Sequence, residues 1–325
     1  MNNKFKFAAS VLVLFASCTK PSEVLVSEPQ PTLSVMSTPI SSVTENSFVK
    51  KWDFEGTTPY EGLSLEKAKL LDPTTGLETT TEIANSIEVV PDPINNSNKV
   101  LKCSMPVNCC RAEVSLVNSN SQLIYAYKGV PAGVNIAANT NVGNEVWIKA
   151  KIYVPNNLTT QSTRNTTANL NTCMVQLGPI SKAGQSGSNG FFQLRATPSS
   201  ANTIGLNNSD WKAFTSSIYN ISTYNGSQPV GVIQTGQWLT YILHCKFGSA
   251  TNENDLLEAR YYISNNSLIS SASCSQVQAQ LDTRIRIKWG LYIGMGNPSI
   301  KALTCYYDDV TVKSGSSTFS EMLVQ

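Results

Sequence analysis

The chain has 325 residues, a formal net charge of +2 and charged side chains at 14% of its positions. Loss of an N-terminal segment that holds Lys4 and Lys6 would lower Lys plus Arg from 24 to 22, which balances the 22 acidic residues. A balanced charge gives no bulk attraction to nucleic acid, so we expect no nucleic-acid partner.

Residues 1–17 have the layout of a bacterial export signal. Lys4 and Lys6 precede an apolar run from Phe7 to Phe15, and small residues stand directly before Cys18. The run is too short to stay in a bilayer as a spanning helix. Its last residues are similar to a lipobox, so we expect Cys18 to be lipidated and to anchor a lipoprotein to the cell envelope, at the outer membrane or the cell surface. An ordinary signal peptide cut nearby is the alternative.

The next segment differs from the rest of the chain in composition. Residues 19–46 are rich in Ser, Thr, Pro and Glu with scattered apolar positions, so we expect 18–46 to be a disordered spacer behind the lipidated cysteine. Residues 47–325 then form one domain, a size that all-β sandwiches reach without a break.

Strand-like alternation of apolar and polar residues dominates this domain. The clearest segments are Val146 to Val154, Trp238 to Phe247, Leu257 to Ile263, Arg284 to Ile293 and Thr304 to Val312. Helical periodicity is weak, with short candidates at Ser64 to Leu71 and Ser275 to Leu281. Many strands joined by polar turns predict an all-β fold, a β-sandwich jelly roll of antiparallel sheets.

Three of the strand-like segments carry a polar stripe: Arg111 to Val114, Val175 to Gly178, and Lys288 to Tyr292. Alternate side chains of a strand share a face, so these segments predict one polar face. Its members are Arg111, Glu113, Gln176, Lys288 and Tyr292, and the same parity adds Gln193, Arg195, Arg284 and Arg286. A guanidinium, an amide and a phenol together suit chemistry on an acidic sugar, although each residue alone also fits a structural role in a sheet.

The order of several motifs along the chain resembles that of a known family. The motifs are Trp52-Asp53-Phe54-Glu55-Gly56, Arg111-Ala112-Glu113, the Trp147 strand ending in Val154-Pro155, Gly236-Gln237-Trp238, Leu243-His244-Cys245-Lys246, Lys288-Trp289-Gly290-Leu291-Tyr292 and Tyr306-Tyr307-Asp308-Asp309-Val310. They resemble jelly-roll polysaccharide lyases of the heparin lyase I and glucuronan lyase type, and three of them resemble the alginate lyase signatures R-x-E, Q-I-H and Y-K-A-G-V-Y. The resemblance implies a concanavalin A-like fold with a concave substrate groove.

The resemblance also implies an activity, the cleavage of an acidic, uronate-containing polysaccharide by β-elimination. Alginate, glucuronan or a glycosaminoglycan would be the partner. Such a lyase must neutralise the carboxylate, accept the C5 proton and protonate the leaving oxygen. We assign Tyr292 as base and acid, and Arg111 and Gln176 as neutralisers. The expected substrate-binding residues are Glu113, Gln193, Arg195, Lys288 and Arg286.

The chain departs from the Q-I-H signature, because Gly178 stands where the histidine would be. The single histidine, His244, lies in a different predicted strand, where we expect a structural role. With Tyr292 as the one acid and base, proton and leaving oxygen must lie on the same side of the ring, as in β-mannuronate or β-glucuronate. A non-catalytic glycan-binding lipoprotein on the same fold is the alternative function.

A tyrosine has an ordinary pKa of about 10, so Tyr292 needs a cation close by to act as a base near neutral pH. Lys288 is four residues away, roughly 13 Å along a strand. An arginine on a neighbouring strand would be closer, which makes Arg111 or Arg195 the expected partner.

The other candidate sites are structural. The seven cysteines apart from Cys18 predict cross-links or buried thiols rather than zinc ligands, because no C-x-x-C pair is present. Glu55, Asp308 and Asp309 would gather around a structural calcium if the first and last strands lie side by side, with turn and edge roles as the alternative. We assign no metal ligands, and expect a monomer that requires no cofactor.

Overall fold

The computed structural model describes residues 48–128, 142–155, 172–179, 192–198, 214–220, 228–248, 255–263, 266–277, 283–293 and 302–325. All of them belong to the compact unit Thr44–Gln325. The predicted export signal, Cys18 and the spacer lie outside the described residues. Within the described ranges, no helix has the length and apolar character needed to cross a membrane.

Strands account for nearly all the regular structure. In chain order they are β1 (Val49–Trp52), β2 (Leu63–Glu66), β3 (Lys69–Leu71), β4 (Glu78–Glu82), β5 (Ile87–Pro91), β6 (Lys99–Met105), β7 (Arg111–Leu116), β8 (Tyr125–Lys128), β9 (Glu145–Tyr153), β10 (Thr172–Pro179), β11 (Phe192–Pro198), β12 (Phe214–Asn220), β13 (Gln228–Val232), β14 (Trp238–Lys246), β15 (Asp255–Ile263), β16 (Leu268–Val277), β17 (Thr283–Tyr292) and β18 (Leu303–Ser314). A 3-10 turn covers Ala84–Ser86, and helix α1 (Phe319–Val324) is the last element.

The long strands form two antiparallel sheets of eight strands each. The sheet that we call the site sheet has the order β13-β12-β11-β10-β17-β7-β2, with β8 also paired to β17. The back sheet has the order β16-β15-β14-β9-β18-β6-β5, with β1 also paired to β18. Strands β3 and β4 pair with each other and make a small third sheet, and an isolated antiparallel bridge joins Leu70 of β3 to Cys109. The predicted all-β jelly-roll sandwich is confirmed.

The apolar faces of the two large sheets meet in one core. Trp289 of β17 is fully buried there, and its ring centroid lies 5.2 Å from that of Trp52 in β1. The hydroxyl of the buried Tyr307, in β18, lies 2.9 Å from the carbonyl oxygen of Gly290 and 3.1 Å from that of Met174. This hydroxyl therefore donates across the core and joins the back sheet to the site sheet where β17 and β10 run side by side.

The predicted helix over Ser64 to Leu71 is wrong, because the chain forms β2 and β3 there. Leu63 and Leu65 face the core while Ser64 and Glu66 face away, which is a period of two rather than 3.6. Pairing of β2 with β7 then outweighs a weak helical pattern. The predicted helix over Ser275 to Leu281 is also wrong at its start, since β16 extends to Val277, and residues 278–281 lie outside the described ranges.

Helix α1 was not predicted, although the sequence carries its start signal. The Thr318 side chain accepts from the Glu321 amide, and the Glu321 side chain accepts from the Thr318 amide. This reciprocal pair is a capping box, readable as T-x-x-E. Phe319 and Met322 pack on the outer face of the back sheet against Trp147, Ile242 and Tyr262.

The cysteines whose side chains are described are buried thiols: Cys103, Cys109, Cys110, Cys173, Cys245 and Cys305. Cys103 and Cys305 stand directly opposite each other on β6 and β18, and burial raises the pKa of both thiols. Within the described part of the chain, no group of three or more His, Cys, Asp or Glu side chains is placed to hold a metal ion.

Candidate active site

The polar face of the site sheet is built on the alternation of β17. Ile287, Trp289 and Leu291 point into the core, so Lys288, Gly290 and Tyr292 belong to the opposite face. Their partners on β7 are Ser115, Glu113 and Arg111 respectively. Lys288 thus faces Ser115 at one end of this stretch, and Tyr292 faces Arg111 at the other. Gly290 lies between Lys288 and Tyr292.

Arg111 and Tyr292 stand directly opposite each other in the ladder. The guanidinium carbon of Arg111 lies 5.5 Å from the centre of the Tyr292 ring, within cation–π range. The two residues come from sequence positions about 180 apart in the chain and meet because β7 and β17 are neighbours. A positive charge therefore lies next to the phenol that we assigned as base and acid.

Two carboxylates hold Arg111 in place. Its Nη1 lies 2.8 Å from Glu66 Oε2, and its Nε lies 2.8 Å from Glu78 Oε1. Burial alone would lower the pKa of Arg111, but the negative charges of Glu78, Glu113 and Glu66 outweigh burial and raise it. The guanidinium is therefore a permanent cation with a largely fixed orientation.

Glu66 is the centre of this charge network. Its carboxylate accepts from Lys288 Nζ at 2.7 Å, from Ser115 Oγ at 2.8 Å and from Arg111 Nη1 at 2.8 Å. Burial would raise the pKa of Glu66, but the Lys288 charge and these hydrogen bonds outweigh it and lower the pKa to about 2. Glu66 therefore stays ionised and keeps two cations next to each other.

Glu113 lies beneath the network, with only 1% of its surface exposed. Its Oε1 accepts from Gln176 Nε2 at 2.8 Å, while its Oε2 is buried, 3.6 Å from Lys288 Nζ, without a hydrogen bond to any described residue. Burial is the main cause that raises the pKa of Glu113 to about 7, with Glu66 adding to it and Lys288 opposing it. Near neutral pH this carboxyl group can therefore hold or lose a proton.

Gly290 is required by the backbone between Lys288 and Tyr292. Its φ is +129°, and a Cβ atom there would lie 2.4 Å from the carbonyl oxygen of Ala112. We expect Gly290→Ala to destabilise the fold by about 2 to 4 kcal/mol, from backbone strain and this clash. Urea denaturation measures the change.

Gly56→Ala is the matched control for that substitution. Among the described residues, a Cβ at the exposed Gly56 would have one neighbour within 4 Å, the Thr58 nitrogen at 3.9 Å. We expect a change below about 0.5 kcal/mol for it. Equal effects of the two substitutions would show that the conformation of Gly290 is not the cause.

Gln176 reaches the site from the far side of Lys288. It stands opposite Lys288 on β17, so its Cα is about 13 Å along the strand direction from the position of Tyr292. The register shifts between Cys173 and Val175, where Gly290 and Leu291 of β17 face the single residue Met174, and the β10 residue opposite Tyr292 is Cys173. Gly178, which replaces the signature histidine, stands opposite Arg286 rather than Tyr292. Gln176 thus donates to Glu113, the residue opposite Gly290 on β7.

The remaining predicted binding residues lie on β11 and β17 of the site sheet. Gln193 stands opposite Gln176, and Arg195 stands opposite Cys173, although the side chains of Gln193 and Arg195 lie outside the described set. Lys288 is buried in the charge network. Arg286 is half-buried, and its Nε has no hydrogen-bond partner among the described residues. Of the two arginines expected near Tyr292, Arg111 is the one whose contact is described.

His244 lies in β14 of the back sheet, away from these residues. Its Nδ1 is 2.8 Å from Glu258 and its Nε2 is 2.9 Å from Glu145. The ring stacks on Trp147 with centroids 3.9 Å apart. Both nitrogens are engaged by carboxylates, as expected of a structural histidine.

The three acids considered for calcium have other partners. Asp309 lies 2.8 to 3.1 Å from the ammonium groups of Lys51, Lys149 and Lys151. The Asp308 carboxylate accepts from Asn98 and from the Asp309 amide, and Glu55 accepts from the Lys99 amide. The described contacts of these three carboxylates are thus with groups of the protein itself.

Two residues of the site were missed from the sequence, Glu66 and Glu78. Glu66 lies in the segment where a helix had been predicted, and Glu78 comes after that segment, at the start of β4. The alternation of Leu63 and Leu65 would have placed Glu66 on the polar face. Nothing in the local sequence brings Glu78 to Arg111, because that contact depends on how the β3–β4 pair folds back.

Comparisons with known proteins give similarity to solved structures only. No family model and no curated protein matches the chain. The exolytic PL7 alginate lyase from Zobellia galactanivorans has a TM-score of 0.46 at 10% identity and covers 83% of this chain and 100% of its own. The endo-beta-1,4-glucuronan lyase from the fungus Trichoderma reesei has a TM-score of 0.45 at 12% identity, covering 82% and 95%. The marine PL-14 alginate lyase from Aplysia kurodai has a TM-score of 0.43 at 10% identity, covering 71% and 88%. The chain is thus similar to lyases of the group that its motif order resembles.

Proposed function

We propose that the protein is a polysaccharide lyase that cleaves an acidic, uronate-containing polysaccharide by β-elimination. The observation that carries the proposal is the Arg111–Tyr292 pair, a fixed guanidinium beside a phenol on the polar face of the site sheet. In a uronate the carboxylate is bonded to C5, the carbon that must lose its proton. A carboxylate bound at Arg111 would therefore bring the C5 proton next to Tyr292.

In the proposed reaction one residue, Tyr292, is both the base and the acid. The Tyr292 oxygen takes the C5 proton, the C5–H electron pair forms the C4–C5 double bond, and the C4–O bond breaks. The proton on Tyr292 then goes to the leaving oxygen. Arg111 stabilises the negative charge that develops on the carboxylate. Gln176, assigned with it as a neutraliser, donates to Glu113 and stands opposite Lys288, so we give the main neutralising role to Arg111.

One acid and base serves both steps only when the proton and the leaving oxygen lie on the same face of the sugar. The described part of the site sheet offers no imidazole as a second group. We therefore propose β-mannuronate or β-glucuronate at the cleaved position. Tethering to the cell envelope through a lipid on Cys18 remains part of the proposal.

The test is a substrate panel of mannuronate-rich alginate, guluronate-rich alginate, glucuronan, heparin and chondroitin. We expect the purified protein to release unsaturated uronate ends, seen by their ultraviolet absorbance, from the mannuronate or glucuronate polymers. Release from guluronate blocks alone would contradict the proposed stereochemistry. No unsaturated ends from any polymer would contradict the lyase proposal.

A glycan-binding protein without turnover is the second candidate. The observation that favours it is the double ion pair of Arg111, which leaves the guanidinium already neutralised by two carboxylates. Retention of the protein on an immobilised polyuronate, without release of unsaturated ends, would decide for this function.

A further inference from the structure

We propose that Glu78 occupies the position at Arg111 that a substrate carboxylate takes, and that this residue selects for anionic sugars. The inference rests on the uronate-binding part of the proposed function. It makes Glu78 a specificity-determining residue that leaves Arg111 when the sugar binds, while Glu66 stays in place.

The first step is the likeness of the two anions. Glu78 Oε1 lies 2.8 Å from Arg111 Nε, a charge-assisted hydrogen bond that a uronate carboxylate can make equally well. Both side chains of the pair keep solvent contact, with 18% of Arg111 and 19% of Glu78 exposed. A carboxylate arriving from solvent therefore has access to this pair.

The second step is the difference between Glu78 and Glu66. Glu66 is held by Lys288, Ser115 and Arg111, and it belongs to β2 within the site sheet. Glu78 has Arg111 and the thiol of Cys110, whose Sγ lies 3.1 Å from Glu78 Oε1. A thiol is a weak donor. Of the two carboxylates described at Arg111, Glu78 therefore has the fewer and weaker other hydrogen bonds, and its displacement costs less free energy.

The third step is the element that carries Glu78. It begins β4, whose pairing within the described residues is with β3 and with neither large sheet, while β3 itself makes one isolated bridge from Leu70 to Cys109. The described ion pair across this small sheet joins Lys69 to Glu82 at 3.7 Å, with 31% of the Lys69 side chain and 49% of the Glu82 side chain exposed. Movement of Glu78 away from Arg111 therefore breaks no ladder of the site sheet.

Selectivity follows from the exchange. A uronate carboxylate that displaces Glu78 restores the charge-assisted bond to Arg111, and Glu78 regains water. A neutral sugar offers only a hydroxyl, so an exchange with Glu78 would lose the ion pair at Arg111 and put no negative charge in its place. Neutral glycans therefore compete poorly with Glu78.

The experiment compares Glu78→Gln with Glu82→Gln, both made in the Tyr292→Phe chain so that the ligand is not consumed. Titration calorimetry with a β-mannuronate trisaccharide gives Kd. We expect Glu78→Gln to lower Kd by about tenfold, because the competing charge is gone. Glu82, on the same strand and 49% exposed, should change Kd less than about twofold.

A second measurement does not depend on that variant folding. In the Tyr292→Phe chain, amide hydrogen exchange of Glu78–Glu82 should become faster when the trisaccharide saturates the protein, since Glu78 has left Arg111. Unchanged or slower exchange there, or an equal or higher Kd in Glu78→Gln, would overturn the inference and make Glu78 a support for Arg111.

Failure of this inference is distinct from failure of the lyase proposal. Tighter binding by Glu78→Gln in a protein that releases no unsaturated ends would keep the inference and contradict catalysis. Release of unsaturated ends by the protein, together with weaker binding in Glu78→Gln, would support catalysis and overturn the inference. No binding by either variant would overturn the inference.

Discussion

Tyr292→Phe should reduce the release of unsaturated uronate ends by at least about 100-fold, the lower bound for loss of a group that both takes and returns a proton. Binding should change little, because the ring that lies 5.5 Å from the Arg111 guanidinium is kept and only its hydroxyl is lost. The rate of absorbance increase measures turnover, and retention on immobilised polyuronate measures binding.

Tyr306→Phe is the matched control for that variant. Tyr306 is also a half-buried sheet tyrosine, but it lies in β18 of the back sheet and contacts the Tyr153 ring. The Tyr306→Phe variant should release unsaturated ends at the full wild-type rate. Full-rate turnover by Tyr292→Phe would mean that another group carries the proton and that the role given to Tyr292 is wrong.

Glu113→Gln should remove a pH dependence of stability. The pKa of Glu113 is raised to about 7 in the folded chain from an ordinary value of 4.5. Between these values the folded state binds a proton that the unfolded state has released, so stability falls as pH rises through this window. From pH 5 to pH 8 we expect the wild-type chain to lose about 2 kcal/mol through this group, and the glutamine variant to escape that loss.

Urea denaturation of both chains at pH 5 and pH 8 measures the effect. The difference in unfolding free energy between variant and wild type should shift in favour of the variant as pH rises. Glu82→Gln, at a surface ion pair with Lys69, is the matched control for the loss of a carboxylate. A constant difference for Glu113→Gln would show that the carboxyl group is ionised throughout this range.

The sequence alone predicted which side chains of a single strand lie on its polar face. In β7 and β17, alternation alone placed Arg111, Glu113, Lys288 and Tyr292 on one side, because side chains of a strand alternate whatever its neighbours are. It could not place Gln176 relative to Tyr292. The register of β10 against β17 shifts where Gly290 and Leu291 face the single residue Met174, and register depends on pairing between strands far apart in the chain.

The carboxylates around Arg111 show a second limit. Glu66 was hidden by the wrong helix prediction for Ser64 to Leu71, which the pairing of β2 with β7 overrides. Glu78 reaches Arg111 only because β3 and β4 form their own small sheet beside β7. Long-range contacts of this kind leave no periodic signal in the local sequence.

The position of a bound sugar tests the central claim most directly. A crystal structure of the Tyr292→Phe chain with a β-mannuronate trisaccharide should show a sugar carboxylate within hydrogen-bond distance of Arg111 and the C5 atom of that sugar next to residue 292. A trisaccharide bound away from these two residues, or with its carboxylates turned from Arg111, would contradict the account.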